Sequence, residues 1–345
     1  MFVEIDSNYE NFLMRSPQPT QTIDDFGKLF YAAADRKAFV KASLAFLKFV
    51  NQKWKDRYPP MVRLYLVDII RRYPTVMGEV DGILPLILIV KEGNCECSLN
   101  GYCRCQIDEL PDVLFSKLYC ENISDAEYYI LLFDKLHRNK HCLFFDPDSY
   151  DGSNINNLES ANNLKRIFFA IADSDKKYSN DIDGSTAEAV KAEFSRTDNI
   201  FSTFYILKVR EKENLVPVSI LKDSNYFDSN KKKLLGIIAN SPDEIKHYFD
   251  LKDGVTKELE DRILIDEDLK RVNLDVINEA KVQGIYIEDD ECRIKGITSD
   301  GIDKSKNTVD YSRFWDEATV LQTTDLRSIF YQMLRFGLRY IPNLS

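Results

Sequence analysis

The sequence predicts an α/β protein whose central part is a mostly parallel sheet flanked by helices. Three observations carry this expectation. Short apolar runs alternate with amphipathic stretches from residue 114 to about residue 221. Turn-forming residues separate them, which is the pattern of strand–helix repetition. The composition, 44% apolar and 30% charged over 345 residues, is that of an ordinary globular chain. At roughly 150 residues per domain, the length suggests two or three packed units.

The elements follow in chain order. Residues 1–6 carry no basic flank and no apolar run, so they do not read as a secretory signal. The longest apolar stretch, 83–90, falls short of the ~18 residues of a membrane span. These two absences predict a soluble cytoplasmic protein with no membrane partner and with reduced thiols. Ten Lys or Arg lie in 36–72, opposed only by Asp56 and Asp68. Phe39, Leu44, Leu47 and Val50 recur there at helical spacing, and Pro59-Pro60 splits the stretch into two helices. Its charge suits either a solvated basic face or a surface for phosphate or an acidic partner. A net charge of -10 argues against a chain coated with nucleic acid but leaves room for local basic surface.

Residues 83–90 read as a buried strand, followed by a cysteine hairpin. Cys95, Cys97, Cys103 and Cys105 are arranged symmetrically about Asn100-Gly101, a strong turn signal. Period-two alternation puts the four thiols on one face, and four soft thiolates select a structural Zn²⁺. Free buried cysteines or a disulfide ladder are the alternatives. Cys120, Cys142 and Cys292 read as small core residues. Residues 1–110 therefore form an N-terminal helical region with a cysteine hairpin.

Residues 111–225 form the α/β segment. Strands are expected at 114–120, 141–146, 167–173 and 203–209, with helices at 125–136, 157–166 and 184–196. Ser124 with Glu127 is a capping-box pattern for the first of these helices. Residues 226–345 read as mainly helical, acidic over 266–303. A final helix over 325–340 has Leu326, Ile329, Phe330, Met333 and Leu334 on its apolar side.

The strand ends carry the chemistry. One strand ends at Glu121, the next at Asp173-Ser174-Asp175, and the last runs into Arg210-Glu211-Lys212-Glu213-Asn214. Ligands of open parallel sheets bind beyond the carboxyl ends of strands. Carboxylates gathered there repel one another unless a cation joins them, and oxygen donors select Mg²⁺ or Mn²⁺. Singly, Asp173 and Asp175 also suit a turn after a strand. No P-loop and no Gly-x-Ser-x-Gly elbow occur, so an ATPase activity would have to come from another chain. His137 and His141 stand at helical spacing across an expected turn and read as surface residues, and His247 is the third histidine.

Cys120-Glu121-Asn122-Ile123-Ser124-Asp125, Ala172-Asp173-Ser174-Asp175 and the Arg210–Asn214 stretch together resemble the Toprim domain. That domain serves topoisomerases, primases and nucleases of the overcoming-lysogenisation-defect type. The family pattern is a strand-ending glutamate, usually followed by glycine and an acidic residue, and then a later Asp-x-Asp. In the phage-defence branch an Arg-Glu-x-Glu-Asn stretch follows. The resemblance covers roughly 114–221, a minority of the chain. Asn122 stands where glycine is usual, a departure that bears on the backbone path after Glu121. Glu92-Gly93 keeps the glycine but leads into cysteines, so Glu121 is preferred.

The resemblance implies a Toprim-like sheet with Glu121, Asp173 and Asp175 as ligands of Mg²⁺ (or Mn²⁺). It implies Glu213 as the fourth catalytic carboxylate, with Glu211 as its alternate and Asp125 in a second tier. Lys176 and Lys212, with Lys177 and Lys208, are near enough in sequence to hold a substrate phosphate. The implied activity is a metal-dependent nuclease acting on DNA or RNA, an anti-phage defence effector. Its implied partners are nucleic acid and an ATPase or other defence-system subunit, and an oligomer is compatible with this. The alternative is a non-catalytic Toprim-fold subunit serving as an assembly or regulatory module.

Overall fold

The computed structural model describes residues 1–93, 96–97, 101–137, 142–150, 155–289, 291–297, 303–306 and 308–341, without the Cys97 side chain. Its first sheet is built from β1 (Phe2–Ile5), β2 (Phe39–Lys41), β3 (Ile87–Ile89), β4 (Glu96–Cys97) and β5 (Cys103–Cys105). Their order is β2-β1-β3-β5-β4, parallel except for β4. Helices α1 (Ser7–Arg15), α2 (Thr20–Ala34), α3 (Leu44–Lys53), α4 (Pro60–Arg71) and α5 (Tyr73–Gly78) accompany it. The N-terminal region is thus an α/β unit, which corrects the expectation of a helical region. Its strands are two to four residues long, too short to display a period of two, and Phe39 by itself fits a helical stripe equally well. The proline split holds: α3 ends in a 3₁₀ turn at Lys55–Arg57, and α4 begins on Pro60, where a missing N–H costs nothing.

The second sheet follows the expected alternation. Its elements are β6 (Lys117–Cys120), α6 (Ile123–Leu136), β7 (Asp146–Ser149), α7 (Asn156–Asn163), β8 (Phe168–Ala172), α8 (Ser185–Arg196) and β9 (Ser202–Ile206). All four strands are parallel, in the order β7-β6-β8-β9. Leu118, Cys120, Phe169 and Ile171 point into one core with Leu132 and Phe133 of α6. Tyr119, Phe168, Ala170 and Ala172 point into the other, with Leu158 of α7 and Val190 of α8. Both faces are covered, and so β8 is apolar throughout. The expected strand at 141–146 is displaced to β7. That segment, Asp-Pro-Asp-Ser, has no strand-like composition, but as an edge strand it tolerates Pro147.

The remaining elements are α9 (Val218–Lys222), α10 (Ser229–Ala239), α11 (Asp243–Tyr248), β10 (Gly254–Thr256), α12 (Lys257–Ile263), α13 (Glu267–Val282), β11 (Cys292–Lys295), α14 (Phe314–Glu317) and α15 (Val320–Gly337). β10 and β11 form an antiparallel pair inside the region expected to be mainly helical. Gly254 there has φ of 80°, and a Cβ would lie 2.1 Å from the Ile294 carbonyl oxygen, so this turn requires glycine. Helix α15 starts earlier than expected because Thr319 and Gln322 form a reciprocal capping box. It packs against both β1 and β8. The Met1 ammonium donates to the Leu338 carbonyl at 3.0 Å, and the Ser116 hydroxyl donates to Phe336 O at 2.5 Å. One hydrophobic core includes residues from all three expected regions. No described helix is long and apolar enough to cross a membrane.

Candidate functional site

The order β7-β6-β8-β9 has a consequence for where a ligand can bind. Helix α6, after β6, lies on one face of the sheet, whereas α8, after β8, lies on the other. The connections diverge between β6 and β8, and a crevice opens at such a point beyond the carboxyl ends of the strands. Glu121 follows β6 directly and Asp173 follows β8 directly. The Arg210–Asn214 stretch follows β9, the neighbour of β8. The three acidic segments separated in sequence therefore leave the same edge of one sheet side by side.

Backbone hydrogen bonds lace these segments together. The amides of Ser174 and Asp175 both donate to Arg210 O, each at 3.0 Å. The Ser174 hydroxyl donates to Val209 O at 2.7 Å and is fully buried. Asp175 sits at φ of 55°, a left-handed conformation that aspartate tolerates better than most residues. Gly184 donates to Ser174 O at 2.7 Å, and a Cβ on it would come within 2.4 Å of Asp175 Oδ2. Asp325 of α15, fully buried, accepts from the amides of Lys208 and Val209 at 3.0 and 3.1 Å and from the Tyr205 hydroxyl at 2.8 Å. Gln322 donates to Asn214 O at 2.7 Å. Helix α15 thus holds the end of β9 and the acidic stretch beyond it.

The carboxyl groups lie close enough to perturb one another, with Asp125, Glu211 and Glu213 buried, Glu121 and Asp173 half-buried and Asp175 exposed. Burial pushes Glu213 up to about 8, with Glu211 adding to the rise and Lys212 opposing it. Burial likewise pushes Glu211 up to about 7, against the attraction of Arg210. Asp173 rises well above the usual carboxylate range, first through burial and then through Glu213, Glu211, Asp125 and Asp175. Glu121 rises through burial, is pulled back by Lys252, and feels Asp125 and Asp175. Glu121, Asp173, Asp175, Glu211, Glu213 and Asp125 are therefore one electrostatic neighbourhood. Glu211 Oε2 is buried with no hydrogen-bond partner, an orphaned acceptor of the kind that costs free energy unless a cation or donor meets it.

Asn122 has φ of -126° and ψ of 156°, ordinary extended backbone open to any residue, so this position does not require glycine. The helix cap expected at Ser124 lies instead at Asn122, whose amide donates to Asp125 Oδ2 at 3.1 Å. The other oxygen of Asp125 accepts from the Lys212 ammonium. Both oxygens of Asp125 thus accept hydrogen bonds within the protein. Lys212 is buried and also reaches Asp303 at 3.2 Å. Burial alone would depress its pKa, but Asp125, Glu213 and Asp303 reverse the direction. It is an internal counter-ion and is not positioned as an open phosphate contact. Lys176 points to Asp183 at 3.3 Å. Lys252 supplies the cation that sequence reasoning missed. It is exposed, in the turn before β10, and Glu211, Glu213 and Glu121 raise its pKa against the effect of partial burial. Its signal was only one basic residue in a polar Asp-Leu-Lys-Asp-Gly turn. Asp250 of that turn ties it to the site through Arg210, at 2.6 Å.

The cysteine segment is described only in part. β4 pairs with β5 so that Cys97 lies opposite Cys103, while Cys95 and the Cys97 side chain lie outside the described residues. The buried Cys103 thiol donates to Ile200 O at 2.9 Å, and Cys105 is disulfide-bonded. A disulfide sulfur is not a thiolate, so Cys105 in this state is not a zinc ligand; it matches the disulfide alternative and departs from the expectation of reduced thiols. Cys120 is a core residue, whereas Cys142 and Cys292 are half-buried. Glu92 follows β3 in the other sheet and pairs with Lys91 at 2.6 Å. His137 caps α6 and stacks on Phe133, His247 bonds Thr319 at 2.7 Å, and His141 lies outside the described residues.

Among the described residues, no three His, Cys, Asp or Glu side chains are close enough together to hold one metal ion. The donor set fits a hard cation in kind, since it is all oxygen, mutually repelling and includes an orphaned acceptor. Compared with known family models, with characterised proteins and with solved structures, the chain matches none.

Proposed function

We propose that the chain is a Mg²⁺- or Mn²⁺-dependent nuclease of Toprim type, hydrolysing phosphodiester bonds of DNA or RNA at the crevice between β6 and β8. The observation that carries the reading is the run of carboxylates beyond three adjacent parallel strands, where burial and then Glu213, Glu211, Asp125 and Asp175 raise the pKa of Asp173. Glu121, Asp173 and Asp175 would hold the ion once their side chains draw together around it, since they are not grouped closely enough to hold it as they stand; the bound ion would activate water and neutralise phosphodiester charge. Glu213 and Glu211, pushed up to about 8 and about 7, are poised to accept and return a proton near neutral pH. Lys252 faces the same carboxylates from solvent and can hold the substrate phosphate. An anti-phage effector role, with an ATPase or other defence subunit as partner, accompanies this reading through the family resemblance alone. A zinc clamp formed by the cysteines on reduction is a proposal of the same standing.

A second reading has its own observation. Lys212 already provides a buried positive charge between Asp125 and Asp303. A site neutralised from within suits a non-catalytic assembly module. Cleavage of single- and double-stranded DNA and of RNA, with Mg²⁺ or Mn²⁺, separates the two. Asp173→Ala and Glu121→Ala are each expected to reduce metal-dependent cleavage by at least about 100-fold. Unchanged cleavage in both variants removes the catalytic assignment, and no cleavage by the wild type with any substrate favours the module.

A further inference from the structure

We propose that the α3–α4 hairpin, through the exposed cations Lys48, Lys53, Lys55 and Arg63, is where nucleic acid docks through its phosphate backbone. The inference rests on the nuclease reading for its choice of polyanion. A site built of carboxylates repels a phosphate chain, and the net charge of -10 gives no general attraction. Affinity must therefore come from a local excess of unpaired cations.

Sorting the ten cations of 36–72 locates that excess. Lys37 pairs with Asp35 at 2.7 Å, Lys41 with Glu4 at 3.2 Å, and Arg57 with Asp24 at 3.0 Å. Arg71 and Arg72 share Asp68 at 2.8 and 3.5 Å. The other five, Arg36, Lys48, Lys53, Lys55 and Arg63, are exposed and form no ion pair among the described residues. Four of these five stand on one hairpin, and Asp56 is the only acidic residue between Leu44 and Val67.

The hairpin is anchored to the core by aromatic packing. Trp54, between Lys53 and Lys55, is buried and meets Phe46 and Phe49 edge-on, with ring centroids 5.9 and 5.5 Å away. The Tyr58 hydroxyl donates to Ile23 O at 3.0 Å and ties the turn to α2. These aromatic rings point inward, so the face has no platform for stacking bases. Recognition is therefore of phosphate, independent of base sequence and dependent on salt. Leu64 and Val67 are exposed on the neighbouring strip of α4. An acidic protein partner would use that strip, whereas the lysines of α3 and of the 3₁₀ turn lie off it.

The test is fluorescence anisotropy of labelled DNA, about 20 nucleotides long, single-stranded and duplex, with the full chain in EDTA. Lys48→Gln, Lys53→Gln, Lys55→Gln and Arg63→Gln combined is expected to weaken binding at least tenfold. The slope of log affinity against log salt should become shallower by about 3, the share of four phosphate contacts. Neutralising four scattered lysines instead (Lys165, Lys270, Lys281 and Lys295) should have a much smaller effect, and circular dichroism verifies folding of both variants. Wild-type affinity and slope in the hairpin variant overturn the proposal. So does a wild type that binds neither DNA at low salt. Equal binding of polyglutamate, lost with Leu64→Asp and Val67→Asp, overturns it in favour of an acidic protein partner. Cleavage measured separately in Mn²⁺ keeps the two readings distinct. Cleavage that survives Asp173→Ala removes the catalytic assignment alone, and intact binding by the hairpin variant removes the docking face alone.

Discussion

Glu213 shows how a single carboxyl group links stability to function. Its pKa lies near 4.5 in an unfolded chain and is pushed up to about 8 when folded, chiefly by burial. Between those values the folded chain keeps a proton that the unfolded chain has released. Stability due to this group is therefore highest below about pH 4.5 and is lost as pH rises towards about 8. Glu211 behaves alike up to about 7. In EDTA, the urea midpoint is expected to fall between about pH 5 and about pH 9. Glu213→Gln should remove much of that fall and be more stable than wild type at the upper end, by roughly 2–4 kcal/mol as an upper bound. A wild-type midpoint that is flat over this range contradicts the buried, protonated glutamate. Metal binding must displace the same protons, so Mn²⁺ affinity measured by calorimetry should increase with pH and be accompanied by proton release.

At the scale of elements, α15 has more influence on the site than its sequence suggested. Asp325 reads in the sequence as an acidic residue opening a helix. In the fold it lies inside the helix, fully buried, and accepts three hydrogen bonds from the end of β9. The Thr319–Gln322 box that sets the true start was visible as a Ser/Thr-x-x-Glu/Gln pattern. What β9 required of Asp325 was not visible, because the two are paired only by tertiary packing. Asp325→Ala leaves two amides and a phenol without an acceptor and should cost roughly 2–4 kcal/mol in denaturant titrations. Loss of less than about 0.5 kcal/mol would show that water replaces the carboxylate and that α15 does not hold the strand.

For the whole molecule, the two larger sheets share one hydrophobic core joined through α15. The two tryptophans report on opposite ends of the sequence: Trp54 packs in the N-terminal unit and Trp315 against α6 and α15. Unfolding followed separately with Trp54→Phe and Trp315→Phe should give coincident transitions that also match far-ultraviolet circular dichroism. Midpoints differing by more than about 1 M urea would mean that the sheets fold as separate domains.

The sequence by itself determined the alternation of the second sheet and the residues at its strand ends. Runs such as Phe168–Ala172, buried on both faces, stay apolar without interruption and are bounded by turns. It also located Glu121, Asp173, Asp175, Glu211 and Glu213 at the ends of three strands. Only the tertiary structure decided the strand order that makes those ends neighbours, since parallel pairing joins segments with no local signal between them. The same is true of the short strands of the first sheet, of β7 with its proline at an edge, and of the separate fates of Lys212 and Lys252. One lysine is enclosed as a counter-ion and the other left facing solvent, and burial, not residue type, sets that difference.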